Sequence, residues 1–367
     1  MATKVIHIAK FFYDSTVHAN FVESLWKTHG KECLTIVPDH ACLKDSRTDG
    51  VSNFRYPYVF RFFLMTRTIL SFFRIYIARV ITPEDYLFCH TWVSDGLLGL
   101  LFKQTMGLRY TVLVRKTDLY FYYKKFVFYR PLFRLILSRA DRIAFISISL
   151  EQSFHAWPEL KEFAQKSRIW PNGIDDFWHK NFIEFDLDDK TARRERKEIL
   201  FVGRFDVNKN LNLVFNAVSS IKNDIPEIRL VCVGGTRPEL ARLIGVVNSK
   251  EEWLTVIPKL DRNELMLQYR RASCLTVPSR EETFGLVFIE ALSQACPVIY
   301  TEGQAIDNFF KGKSAAQGVP PDDIAALKAA IIRSLNQNHG NLSVDQFRWS
   351  SVARLICEDL DDFQYTI

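Results

Sequence analysis

A chain of 367 residues is too long for one compact core and favours two domains. With 48% hydrophobic, 25% charged and 14% aromatic residues, it is neither disordered, collagen-like nor a coiled coil. Residues 1–180 hold 25 Lys and Arg against 16 Asp and Glu, a net of +9, while residues 181–367 hold 23 against 26, a net of −3. The first half is therefore expected to face something anionic: nucleic acid, an acidic membrane leaflet or a phosphorylated acceptor.

The opening run, Met1 to Lys10, has an apolar stretch too short for a secretory signal. Seven cysteines, with no Cys-x-x-Cys and no zinc spacing, read as reduced thiols, and together these predict a cytoplasmic protein. Residues 4–9 read as a strand, a helix follows near 18–29, and 32–37 is a second strand. The stretch 54–81 is apolar nearly all round, yet Arg55, Arg61, Arg67, Arg74 and Arg79 leave no run near the ~20 residues of a spanning helix. It is expected as a buried helix or one pressed on lipid. Strands are expected at 86–90, 110–114 and 142–148. Between the last two, 120–142 interleaves aromatics with cations, which suits a headgroup interface or a core-facing helix with a solvated basic face. The aromatics form no recognisable single-strand module, so nucleic acid is not expected as a partner.

A short strand ends at Pro171-Asn172-Gly173-Ile174-Asp175, and 179–197 is a charge-dense linker. The pattern then restarts with strands at 198–202, 229–233, 253–257, 274–277 and 297–300, and helices at 210–222, 262–271 and 283–294. Strand–helix alternation in both halves predicts an α/β protein with two doubly wound parallel sheets.

The chemistry concentrates in two junctions of the second half. Pro278 to Leu292 follows a strand and opens a helix, where the N–H groups of Phe284, Gly285, Leu286 and Val287 would be free for phosphate oxygens. Glu282 would lie just before that helix and Glu290 about two turns on, on roughly the same face, and each could accept from ligand hydroxyls. The second junction, Phe201 to Asn210, contains Gly203, Arg204 and Lys209, with the two cations suited to a diphosphate. The acidic runs at 186–189 and 359–362 read as solvated acids, and no metal site is expected. No Gly-x-Gly-x-x-Gly follows the first strand, which disfavours a dinucleotide-dependent dehydrogenase.

From 169 to 353 the chain resembles glycosyltransferase family 4, retaining enzymes of the glycosyl transferases group 1 type with the GT-B fold. The resemblance rests on Pro-Asn-Gly-Ile-Asp at 171–175, Gly-Arg-x4-Lys-Asn at 203–210 and Glu-x7-Glu at 282–290. Weaker features are Gly303-Gln304-Ala305-Ile306-Asp307 and Phe347-Arg348-Trp349. It implies two Rossmann-like domains facing each other across a cleft. Residues 1–178 would be a basic acceptor-binding domain, 179–197 a linker and 198–345 the nucleotide-sugar domain. Residues 346–367 would form a C-terminal helix that packs back on the first domain.

It further implies that Arg204 and Lys209 bind the donor's diphosphate, Glu282 the donor sugar, Glu290 the ribose, and Pro258, Lys259 and Leu260 flank the base. No cofactor and no metal would be needed. The family's His-Asp pair is replaced by Lys116-Thr117-Asp118, so Asp118 and His90 are the catalytic candidates of the first domain. The alternatives are a structural histidine and a helix cap. The loop at 10–13 lacks the family's usual glycines.

The expected function is a retaining transfer of sugar from a nucleotide-diphosphate donor to a saccharide or lipid-linked acceptor, in cell-envelope polysaccharide or glycolipid synthesis. The enzyme would rest on the inner face of the plasma membrane, an anionic surface. The rival readings are a catalytically silent homologue that senses nucleotide sugars or assists assembly, and a sugar-nucleotide epimerase or phosphorylase on the same fold.

Overall fold

The computed structural model describes residues 4–9, 16–29, 33–39, 51–55, 64–183, 197–245, 252–337, 339 and 342–362. The loop at 10–13, Arg61, the acidic run at 186–189 and most of the expected linker lie outside them. Two units form: residues 1–173 with 349–367, and residues 174–348.

In the first unit the order is β1 (Val5–Ile8), α1 (Thr16–His29), β2 (Cys33–Asp39), β3 (Val51–Arg55), α2 (Leu64–Ala78), β4 (Tyr86–Cys89) and α3 (Ser94–Met106). β5 (Arg109–Val114), α4 (Arg130–Arg139), β6 (Arg142–Phe145), α5 (Ile148–His155) and β7 (Ser167–Ile169) follow. The strands pair in parallel in the order β3-β2-β1-β4-β5-β6-β7. β1, β4 and β6 are buried throughout, as strands covered on both faces must be. The 120–142 stretch is not one helix. A π-helical turn over Asp118–Tyr123 and a 3-10 turn over Val127–Tyr129 precede α4. No helix among the described residues is long and apolar enough to cross a membrane.

The second unit runs α6 (Asp176–Lys180), β8 (Glu198–Val202), α7 (Leu211–Ile221), β9 (Arg229–Val233), α8 (Arg237–Ile244), β10 (Leu254–Ile257) and α9 (Arg262–Arg271). β11 (Cys274–Thr276), α10 (Leu286–Ser293), β12 (Val298–Thr301), α11 (Asp307–Phe310), β13 (Ala316–Val319) and α12 (Ile324–Asn336) complete it. Its parallel sheet has the order β10-β9-β8-β11-β12-β13.

The last helix, α13 (Trp349–Asp362), belongs to the first unit and packs against α1. Trp349, Val352 and Ile356 share a core with Phe21, Leu25 and Trp170. The first of the acids at 359–362 is not solvated as expected: Trp170 Nε1 donates to Asp359 at 2.6 Å and Arg168 pairs with it at 3.5 Å.

The units divide at Gly173/Ile174, not at 178. Ile174 is buried, forms a bridge with Arg348 and donates to the Phe347 carbonyl at 2.9 Å. Trp178 packs on Tyr269 of α9 at 5.6 Å, so α6 belongs to the second unit rather than to the first or a linker.

Candidate active site

In the second sheet the chain runs from β8 outward through β9 and β10, then returns to place β11 on the other side of β8. Loops leaving β8 and β11 at their carboxyl ends therefore flank the position where strand order reverses, the usual ligand crevice of such sheets. Both chemistry-bearing segments are these loops. Gly203 follows β8 directly, and a Cβ on Gly234 (φ 114°) would meet the Gly203 carbonyl oxygen at 2.4 Å. Glycine at 234 lets the two strand ends close.

The two loops are laced together. Asn208 accepts from the Glu281 N–H at 3.1 Å and donates to the Glu281 carbonyl at 3.0 Å, in the manner of one rung of a β-ladder. The next residue, Lys209, pairs with Glu282 at 2.5 Å, both largely buried. The other Glu282 oxygen accepts from the Thr283 N–H at 3.1 Å. Gln304, after β12, accepts from the Glu282 N–H at 2.5 Å and donates to the Arg280 carbonyl at 2.6 Å. Asp322 receives Asn210 at 2.9 Å and Arg280 at 3.3 Å. Asn208, Gln304 and Asp322 are thus part of the site's frame, and sequence reasoning singled out none of them for it. Gln304 stood only within a weak motif.

Arg204 does not join Lys209. Its side chain is 85% exposed and its guanidinium lies 3.3 Å from Asp206. Asp206 in turn accepts from the Lys209 N–H at 2.9 Å. The structure brings Lys209 and Glu282 together and leaves Arg204 extended into solvent.

The helix expected from 283 begins only at Leu286. Gly285, at φ 75°, makes the turn that precedes it, and a Cβ there would meet the Phe288 ring at 2.5 Å. Glu282 stands in the loop before the helix, as expected, but Thr283, Phe284 and Gly285 precede the first turn. Leu286 and Val287 open that turn, where backbone N–H groups lack intrahelical acceptors. Phe288 N–H is already used by the Gly285 carbonyl at 3.0 Å.

Glu290 lies farther along α10. Tyr269 donates its hydroxyl to it at 3.2 Å. Burial, with the Asp175 charge nearby and against that hydrogen bond, pushes the Glu290 carboxyl up to about 7. Arg262 pairs with Asp175 at 3.1 Å and covers the Phe177 ring at 5.4 Å. Pro258, Lys259 and Leu260 follow β10, two strands from β8, with Pro258 and Lys259 exposed.

The first unit's candidates are both deeply buried. His90, after β4, sits against the rings of Phe21 and Phe88 and 3.2 Å from His7 Nδ1 through its Nε2. Asp118 accepts the N–H groups of Trp92 at 3.0 Å, Val93 at 3.2 Å and Arg115 at 2.9 Å. Burial pushes its carboxyl up to about 6 against those three donors. Asp118 ties the turns after β4 and β5 together.

Residues 196–337 match the family described as Glycosyl transferases group 1. A glycogen synthase of Mycobacterium tuberculosis is 31% identical over 152 residues, 38% of this chain and 35% of that protein. A phosphatidyl-myo-inositol mannosyltransferase of Mycolicibacterium smegmatis is 28% identical over 187 residues, 50% of this chain and 45% of that protein. The chain thus spans less than half the length of these two curated relatives. Solved structures resemble it throughout: sucrose-phosphate synthase of Thermosynechococcus elongatus has a TM-score of 0.72 at 21% identity, covering 100% of both chains. Anabaena Alr3699/HepE in complex with UDP and glucose has a TM-score of 0.66 at 14% identity, covering 98% of this chain and 99% of the other. On these grounds the chain has the GT-B fold, and residues 196–337 of its second unit match the glycosyl transferases group 1 family.

Proposed function

We propose that the chain is a retaining glycosyltransferase, moving a sugar from a nucleoside diphosphate donor to the hydroxyl of a saccharide or lipid-linked acceptor. The observation that carries this reading is the Lys209–Glu282 pair, made between two loops that flank the reversal of strand order. A basic and an acidic group held together there can divide a ligand between them. The ammonium takes a phosphate oxygen and the carboxylate accepts from a sugar hydroxyl.

Charge on the departing diphosphate is met by Lys209, by the Leu286 and Val287 N–H groups and by Arg204, whose long, exposed side chain is free to fold onto an anion. These groups do the work a divalent cation would otherwise do. Glu290 accepts from the ribose hydroxyls, and residues 258–260 border the base. A phosphate oxygen of the leaving group takes the acceptor's proton, so no strong protein base is required. Retention of anomeric configuration follows from the family resemblance.

UDP is the first base to test, because one structural relative is described with UDP and glucose. The mannosyltransferase relative, named for a phosphatidyl-inositol lipid, supports glycolipid or envelope polysaccharide synthesis as the setting. Buried free thiols at Cys89, Cys232, Cys274 and Cys296 support a cytoplasmic one.

The test is thermal unfolding of the full chain with UDP, GDP, ADP and CMP, with and without EDTA. One diphosphate is expected to raise the midpoint by mass action, with the rise unchanged by EDTA and lost in Lys209→Ala. No shift with any nucleotide would remove the reading. Radiolabelled sugar then distinguishes transfer from silent binding, since only a transferase yields a labelled acceptor.

A further inference from the structure

Residues 120–129 of the first unit form an exposed surface that has no part in the donor site described above. Its base is rigid. Tyr123 is buried, stacks on Trp92 at 5.2 Å and donates to Glu159 at 3.0 Å. Arg130 closes the other end, with its guanidinium 4.9 Å from the Tyr123 ring and 4.7 Å from the Trp157 ring, and its Nε donating to the Tyr123 carbonyl at 3.1 Å.

Between these anchors the apolar side chains point outward. Phe128 is 98% exposed and Val127 53%, with Phe121, Phe126 and Tyr129 exposed beside them. The aromatic rings touch one another, Phe121 to Phe126 at 5.8 Å and Tyr122 to Phe126 at 5.9 Å, so they are held as a group.

Along the segment itself the charge has one sign, while Glu159 and Glu162 pair with Arg130 and Arg134 at its far end. No acidic residue occurs from Leu119 to Ala140. Lys124 and Lys125 precede the tip, and neither is paired with a carboxylate among the described residues. Lys125 lies over the Phe121 ring at 4.8 Å. A ring exposed on every side gains little against a flat protein partner, whereas hydrocarbon surrounds it completely.

We propose that residues 120–129 dock the chain on an anionic lipid surface. Val127 and Phe128 enter the acyl boundary. Phe121, Phe126 and Tyr129 lie at headgroup level, and Lys124 and Lys125 meet the lipid phosphates. The inference goes beyond the sugar-transfer reading and stands without it.

The experiment is flotation of the full chain with vesicles of phosphatidylcholine alone or mixed with phosphatidylglycerol, at low and high salt. Binding is expected only to the phosphatidylglycerol vesicles and fades with salt. Val127→Ser/Phe128→Ser is expected to weaken it about tenfold or more, from the apolar area withdrawn from lipid. Lys124→Ser/Lys125→Ser weakens it on anionic vesicles at low salt. Because these side chains are exposed, both variants keep the wild-type unfolding midpoint and any response to UDP, which separates lost docking from lost folding or a failed donor site.

Phe73→Ser/Ile77→Ser, on the exposed stripe of α2, serves as the comparison and leaves binding unchanged. The proposal is overturned if the wild type never floats, if the tip variant floats as the wild type does, or if the α2 variant loses binding in its place. It is equally overturned if the tip variant only dissolves a self-associated species in sedimentation, which would assign the surface to a second copy of the chain.

Discussion

Glu290 carries a proton in the folded chain up to about pH 7, whereas the ordinary glutamate value is 4.5. The folded state therefore binds more protons than the unfolded one between those values, and stability falls as pH rises from 4.5 through 7. Glu290→Gln removes that fall. In urea titrations the variant is expected to match wild type near pH 4 and to exceed it by roughly 1–3 kcal/mol at pH 8. Nucleotide binding is expected to respond in the opposite sense, since ribose hydroxyls donate to the ionised carboxylate. Affinity measured calorimetrically would rise through pH 7 in wild type and stay flat and weaker in Glu290→Gln. A parallel pH profile in the two proteins would remove Glu290 from the donor site.

Glu282 and Lys209 could be singled out in the sequence because each sits where a strand gives way to a helix; that they pair is seen only in the structure. Tyr269, Asn208 and Gln304 could not be, because each reaches its partner across at least twenty residues of intervening chain. Arg204 was legible as a cation, but its extended rotamer and its pairing with Asp206 are matters of local geometry.

The start of α10 illustrates the same limit for an element. Apolar periodicity from 283 to 294 suggested one helix. The left-handed backbone at Gly285 breaks it, leaving Glu282 in a loop where Lys209 can reach it. Gly285→Ala adds a Cβ that meets Phe288 at 2.5 Å in a backbone conformation L-residues avoid. It is expected to destabilise the second unit by about 1–3 kcal/mol in urea unfolding. It should also weaken nucleotide binding, because the Leu286 and Val287 N–H groups would turn. A neutral effect on both would show that the turn is not required.

Strands such as β4 and β8 were readable as short apolar runs. β13, Ala-Gln-Gly-Val, carries no such run and forms because β12 supplies its ladder partner. β3, Val-Ser-Asn-Phe-Arg, is likewise recruited by β2.

At the scale of the molecule, the chain leaves the first unit after Gly173 and re-enters it at Trp349. A Cβ on Gly173 would meet the Trp349 indole at 2.4 Å, so the chain leaving the first unit passes closely against the start of the returning helix. Trp349 also meets Phe21 edge-on at 5.8 Å. Trp349→Ala is expected to cost the first unit about 3–5 kcal/mol, seen as an earlier transition in calorimetry. The second unit should keep its own transition and its UDP response. Loss of both transitions together would mean that the units do not unfold separately.

Composition and periodicity by themselves determined two parallel α/β units and where most of their strands lie, since burial on both faces demands continuous apolar runs. Motif spacing determined the loops that hold the candidate site, since phosphate-holding N–H groups and cations must follow a strand and open a helix. Only the tertiary structure decided that Asp118 and His90 are locked in the core and that Lys209 rather than Arg204 meets Glu282. Those outcomes depend on which backbone N–H groups, rings and charges from distant parts of the chain come within a few ångströms. Local propensity carries no record of that.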